Sequence, residues 1–194
     1  MRLIRTRLAA LAATLVAVLT TVLAPGLPAA ASTAPDTSTA PYPPRVILKV
    51  GGAHVVNIHN RVFAALLPTP PAARFRVLPA PGGVRFLDEN TGGLVYAPTT
   101  EPLSQLQVSG PGPVPPNSVF VIEQPPSDET DDLASDELVS DELDGVARVA
   151  RIRLAETGQY IGRHFVEDRS LLPKRVVLLP PDVRGPLFTI EAVR

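Results

Sequence analysis

The chain of 194 residues has no cysteine, no tryptophan, one methionine and three histidines. Without cysteine there is no disulfide framework, so a small secreted scaffold of the knottin or Kunitz kind is excluded, and so is a thiol nucleophile. No G-x-S-x-G or H-E-x-x-H pattern occurs, which removes two common hydrolase signatures. His54 and His59 are an odd number of residues apart and would face opposite sides of one strand, so they predict no shared metal. His164, Asp168 and Ser170 lie within seven residues of one stretch. Catalytic triads draw their members from separate rigid elements, so this grouping predicts no catalytic set. Neither an enzyme nor a bound cofactor is expected.

What is present begins with a leader. Arg2, Arg5 and Arg7 precede an uncharged apolar run from Leu8 to Leu23, and Ala29, Ala30 and Ala31 precede Ser32 as a small-residue cleavage site. The run is about 16 residues, short of the roughly 20 that span a bilayer. Residues 1–31 are therefore expected to be a signal peptide, the product to be secreted and extracellular, and no membrane attachment to remain after cleavage. Residues 32–44, rich in Ser, Thr and Pro, read as a disordered tether. Residues 45–194 remain, enough for one domain of ordinary size.

Charge is unevenly placed. Residues 127–144 hold nine acidic residues and no base, including SDEL twice, and read as a mobile acidic insert. The rest of the mature chain carries a modest excess of bases, without the basic stripe and interleaved aromatics that nucleic-acid binding calls for.

Between these segments the pattern is short apolar runs separated by turn residues: 46–50, 54–58, 62–67, 74–78, 84–87, 94–97, 106–108, 119–123, 146–156, 160–161, 176–179 and 187–191. No helix is expected. Phe75, Phe120 and Phe188 each open an alternating tail, FRVL, FVIE and FTIE. Their spacings are 45 and 68 residues, and the second falls to 50 without the 18-residue insert. LDENTGGLVYA at Leu87 to Ala97 also aligns with LAETGQYIGR at Leu154 to Arg163, placing Tyr96 and Tyr160 at matching positions. The chain is therefore expected to be all-β, a β-trefoil of three units of about 45 to 50 residues with the acidic insert between units two and three. A β-sandwich of similar strand count is the alternative. Trefoils are often lectins, but the ricin-type Q-x-W repeat has no Trp to form it. A carbohydrate- or wall-binding module stays open as the rival function.

Residues 158–180 read GQYIGRHFVEDRSLLPKRVVLLP, two apolar runs around a charged loop. With its GR, EDRSLLPK and LP elements, this stretch resembles the cospin-like fungal β-trefoil serine protease inhibitors. The resemblance implies a serine protease partner, trypsin-like or subtilisin-like, a monomeric inhibitor, and a protease-binding loop between the second and third strands of a unit. By strand count that loop is 163–174. Its candidate contacts are Arg163, Glu167, Asp168, Arg169, Ser170, Leu171, Leu172 and Lys174. Arg169 is the first choice to enter the specificity pocket, with Ser170 following the would-be scissile bond and Lys174 the second choice. The motif falls in the last unit, whereas the family carries it in the first, and the closing strands hold Phe where the family has Trp.

Overall fold

Strand β1 (Arg45–Val50) reads RVILKV, with Val46, Leu48 and Val50 buried and Arg45, Ile47 and Lys49 turned outward. The same two-residue alternation builds most of the chain, because each strand has one face on a core and one toward solvent. The computed structural model describes residues 42–67, 70–126, 147–164 and 171–193. The expected leader, most of the expected tether and the acidic insert lie outside the described residues. Eleven further strands follow: β2 (Ala53–Ile58), β3 (Arg61–Ala65), β4 (Arg74–Ala80), β5 (Gly83–Asp88), β6 (Val95–Tyr96), β7 (Gln107–Val108), β8 (Phe120–Glu123), β9 (Arg148–Leu154), β10 (Ile161–Arg163), β11 (Lys174–Leu178) and β12 (Phe188–Ala192). There is no helix among the described residues.

Six strands close on themselves. β1 pairs with β12, β12 with β9, β9 with β8, β8 with β5, β5 with β4, and β4 returns to β1, every pair antiparallel. A closed ring leaves no open edge, which suits a chain with no disulfide to protect one. The other six strands form hairpins, β2 with β3, β6 with β7 and β10 with β11, joined to one another through β3.

The all-β expectation holds, but the β-trefoil of three like units does not. The arrangement is a closed six-strand barrel with additional strands, and the hairpins outside the ring are unequal: six and five residues, two and two, and three and five. β7 meets β3 through one residue pair, Arg61 with Gln107. The middle segment after β7 holds Gly110, Pro111, Gly112, Pro113, Pro115 and Pro116, which cannot extend a ladder. The recurring Phe spacing marks strands that reach the same core, since Phe75, Phe120 and Phe188 are all buried in the ring. It carries no information on whether the intervening hairpins match. The ring likewise displaces the sandwich alternative.

Phe75, Phe86, Phe120 and Phe188 are the bulkiest fully buried side chains. Phe75 meets Phe86 edge-on at 6.2 Å, and Phe86 meets Phe120 at 5.7 Å, separations at which aromatic pairs add to simple burial. Hairpin residues Val55, Val62, Val95, Leu106, Ile161 and Val176 converge on the same centre, leaving a void of about 20 Å³ walled only by apolar side chains. The hairpins thus share one core with the ring. Tyr42, assigned to the tether by composition, packs on this core, and its hydroxyl donates to the Ile122 carbonyl at 3.2 Å.

The repeated turns are confirmed with one shift. Asp88 N donates to the Gly93 carbonyl and Leu154 N to that of Gln159; Gly92 and Gly158 close the same turns with positive φ of 70° and 73°. Leu94 bridges Leu87 just as Tyr160 bridges Arg153. Leu94, not Tyr96, therefore occupies the place of Tyr160. Tyr96 stands two residues further along, a displacement that keeps the same face of the strand while changing the neighbours a side chain meets.

Two features of the ring generate expectations. The β5–β8 seam consists of one pair, Val84 with Phe120, and a Cβ on Gly83 would lie 2.2 Å from the Phe120 carbonyl oxygen. Backbone cannot yield as a flexible side chain does, so Gly83→Ala should cost about 1–3 kcal/mol, the usual range for overpacking, as measured by urea unfolding. An unchanged midpoint would show that the seam tolerates opening. At the β8–β9 seam, Arg153 Nε and the Tyr160 hydroxyl both donate to the Glu123 carboxylate. The Arg153 hydrogen bond holds the Glu123 carboxyl below its ordinary value against the opposing effect of burial, while the bond to Glu123, and then burial, raise the Tyr160 phenol. A depressed carboxyl contributes stability above its unfolded value of about 4.3 that is lost as pH falls through the folded value. The fall in Tm from pH 7 to pH 3 should therefore be smaller in Glu123→Gln than in the parent; equal falls would remove Glu123 as a source of the acid sensitivity.

Candidate functional site

The loop between β10 and β11 starts and ends in well-held backbone. Ile161 pairs with Leu178, Gly162 with Val177 and Arg163 with Val176, and His164 N donates to the Arg175 carbonyl at 2.9 Å. β11 is flanked on its other side by β3, with Lys174 opposite Ala64 and Arg175 opposite Phe63. Further backbone bonds tie it down: Leu106 N to the Val176 carbonyl, Leu178 N to that of Ser104, and Leu103 N to that of Leu178. Val176, Val177 and Leu178 are fully buried. A strand with partners on both sides and its apolar face in the core is a rigid mount for whatever it carries.

The approach to β10 is equally anchored. Gln159 is buried, and its side-chain amide donates to the Leu179 carbonyl at 3.2 Å. Leu179 N donates to the Tyr160 carbonyl. The Tyr160 ring lies so close over Gly185 that a Cβ there would sit 2.5 Å from the ring, and Arg151 Nε donates to the Gly185 carbonyl at 2.9 Å.

The residues singled out from sequence fall into three groups. Arg163 and Lys174 belong to the strands. Arg163 is half-buried, and its guanidinium lies against the β1–β2 turn, where a Cβ on Gly51 would be 3.2 Å from Nη1. Lys174 is half-buried at the first position of β11. Leu171 and Leu172 are the displayed members, 64% and 69% exposed. Glu167, Asp168, Arg169 and Ser170 lie outside the described residues. The structure thus places Arg163 at the end of β10, opposite Val176, and Lys174 at the start of β11, directly after the exposed Leu171 and Leu172 and Pro173.

Two residues at this end of the molecule were missed by sequence reading. Leu66 and Leu67 read as the end of an apolar strand, but β3 stops at Ala65 and both leucines are about half exposed. The sequence signal nearby is the run of prolines at 68, 70 and 71, a residue type that does not continue a strand. The shorter β2–β3 connection offers no comparable loop: it is a two-residue turn at His59 and Asn60, both with positive φ, 51° and 63°. His54 sits in β2 and His59 in this turn, and no group of three or more potential metal ligands occurs among the described residues.

Comparison with known proteins bears on the same stretch. Residues 150–194 match the family model of Peptidase inhibitor I66, and so span the end of β9, β10, the loop, β11 and β12. Among curated proteins no sequence match is found. Among solved structures, a proteinase inhibitor from Coprinopsis cinerea is 13% identical with a TM-score of 0.52, over 79% of this chain and 100% of that one. A Caenorhabditis elegans protein of unknown function is 12% identical with a TM-score of 0.53, over 82% of this chain and 99% of that one. Identities this low establish a shared all-β fold and no more. The family match is to inhibitors of peptidases, not to enzymes. The resemblance carried by residues 158–180 is therefore to the peptidase inhibitor I66 family, whose sequence pattern this chain bears over residues 150–194.

Proposed function

We propose that the protein is a secreted serine protease inhibitor that presents loop 163–174 to the protease cleft. The observation that carries this reading is the coincidence of the family match with the mount: residues 150–194 hold both the loop and its two supporting strands. An inhibitor must enter a cleft as substrate does while having little ordering entropy left to lose, and strands held on both sides of a loop meet that need. The exposed Leu171 and Leu172 fit the same role, since apolar side chains displayed beside a cleft exclude water around the anchoring residue.

Within the loop, Arg169 is the residue proposed to enter the pocket. Its planar cation suits an acidic specificity pocket of the trypsin kind. Lys174 is the second choice, a half-buried residue whose backbone is already held in the β11–β3 ladder. Secretion rests on the leader read from residues 1–31 and fits a protein that meets proteases outside the cell.

Titrating trypsin and subtilisin with the purified mature chain tests the reading. Stoichiometric loss of activity is expected, and Arg169→Ala should weaken it about 30-fold or more, the scale of a hot-spot truncation. Lys174→Ala should leave the inhibition constant within about threefold. Full activity of both proteases at every ratio would sink the proposal and send the protein to a glycan array; inhibition indifferent to Arg169 would move the contact to another residue of the loop.

A further inference from the structure

Five large apolar side chains stand exposed among the described residues: Leu66, Leu67, Val114, Leu171 and Leu172. Four of them come from two places more than a hundred residues apart in sequence, and the β11–β3 pairing puts those places together. Lys174 stands opposite Ala64 in an antiparallel register. Past that pair both chains leave the sheet in the same direction, β3 through Ala65 into Leu66 and Leu67, and β11, read backward, through Pro173 into Leu172 and Leu171. At 50%, 52%, 64% and 69% exposure, the four leucines are displayed to solvent at the mouth of one strand pair.

Single exposed leucines need no explanation, but a cluster drawn from two segments does, because contiguous apolar surface marks a contact face. Its position names the occupant. Two of the four leucines belong to the loop assigned above to the protease, and the other two continue that surface along the neighbouring strand. Pro173 beside Leu172 restricts the exit of the loop, so part of the ordering cost is met before binding.

Resting on the inhibitor reading, we infer that Leu66 and Leu67 are a second protease contact, forming with Leu171 and Leu172 one apolar face that docks against the rim of the protease cleft. The pocket residue then supplies the anchor, and the four leucines shield it from water. A second segment also gives a means of choosing among proteases that share a specificity pocket, because rims differ where pockets agree.

The experiment compares four purified proteins: the parent, Leu66→Ser with Leu67→Ser, Leu171→Ser with Leu172→Ser, and Val114→Ser as an exposed apolar change outside the face. Each is titrated against trypsin and subtilisin, its Tm is measured, and its mass in solution is determined at the assay concentration. Both double variants are expected to keep the parent Tm, since the side chains are exposed, and to raise the inhibition constant about tenfold or more, with Val114→Ser unchanged. Parent inhibition that Leu66→Ser with Leu67→Ser leaves intact overturns the second contact while the inhibitor reading stands. A parent dimer that this double variant dissolves assigns the face to a second copy and overturns the inference as well. A parent that inhibits neither protease takes down the inhibitor reading and, with it, this inference.

Discussion

Closure of the ring is the constraint on which the other features rest. A chain with no disulfide has to hold six strands by hydrogen bonds and burial alone, and it does so by returning β4 to β1 through Arg45 with Arg76, Val46 with Phe75 and Ile47 with Arg74. Arg45 and Arg76 are directly opposite, a like-charge pair that would disfavour the seam. Glu89 resolves the conflict: Arg45 donates two hydrogen bonds to its carboxylate, at 2.8 and 2.7 Å, and Arg76 lies 3.8 Å from it. These bonds hold the Glu89 carboxyl below its usual value. The seam is exposed, so the ion pairs settle register more than they add stability. Beneath it, the buried phenylalanines make closure favourable.

Once the ring is closed, the hairpins have a core to share. β11 gains most from this, because its inner face lies among ring and hairpin side chains while both its edges are paired. The strand ends that flank residues 165–170 share that anchoring. Fold and site are therefore separable: substitutions in the loop need not disturb the ring, whereas a change at Gly83 or Phe120 would disturb both.

Much of the fold was legible in the sequence because strands are local. The alternation of Val46, Leu48 and Val50, and the tails opened by Phe75, Phe120 and Phe188, report directly which side chains face inward. How strands assemble depends on pairings between distant residues, which periodicity does not encode, so the trefoil of like units gave way to a six-strand ring with unequal hairpins. The same limit explains the displaced equivalence of Tyr96 and Tyr160, which the Leu87–Leu94 and Arg153–Tyr160 bridges correct by two residues. Tyr42 was hidden by its company: a Pro- and Thr-rich neighbourhood reads as tether, yet one aromatic ring finds the core. Beside the loop, Pro173 marks where β11 begins, whereas Gly162 ends the apolar run in sequence yet lies inside β10, paired with Val177. The register that sets β3 beside β11 was not legible, because it is a ladder between segments over a hundred residues apart.

The direct pairing of β10 with β11 has a consequence for chemistry at the loop. Were a protease to cut the backbone between residues 164 and 171, the two new ends would still be carried by strands bonded to each other from Ile161 with Leu178 to Arg163 with Val176. The severed amine and carboxylate would be confined at high effective concentration instead of diffusing apart. The entropy that normally drives peptide hydrolysis to completion would be largely withheld, so the intact and nicked chains would stand closer to balance than two separate products ever do.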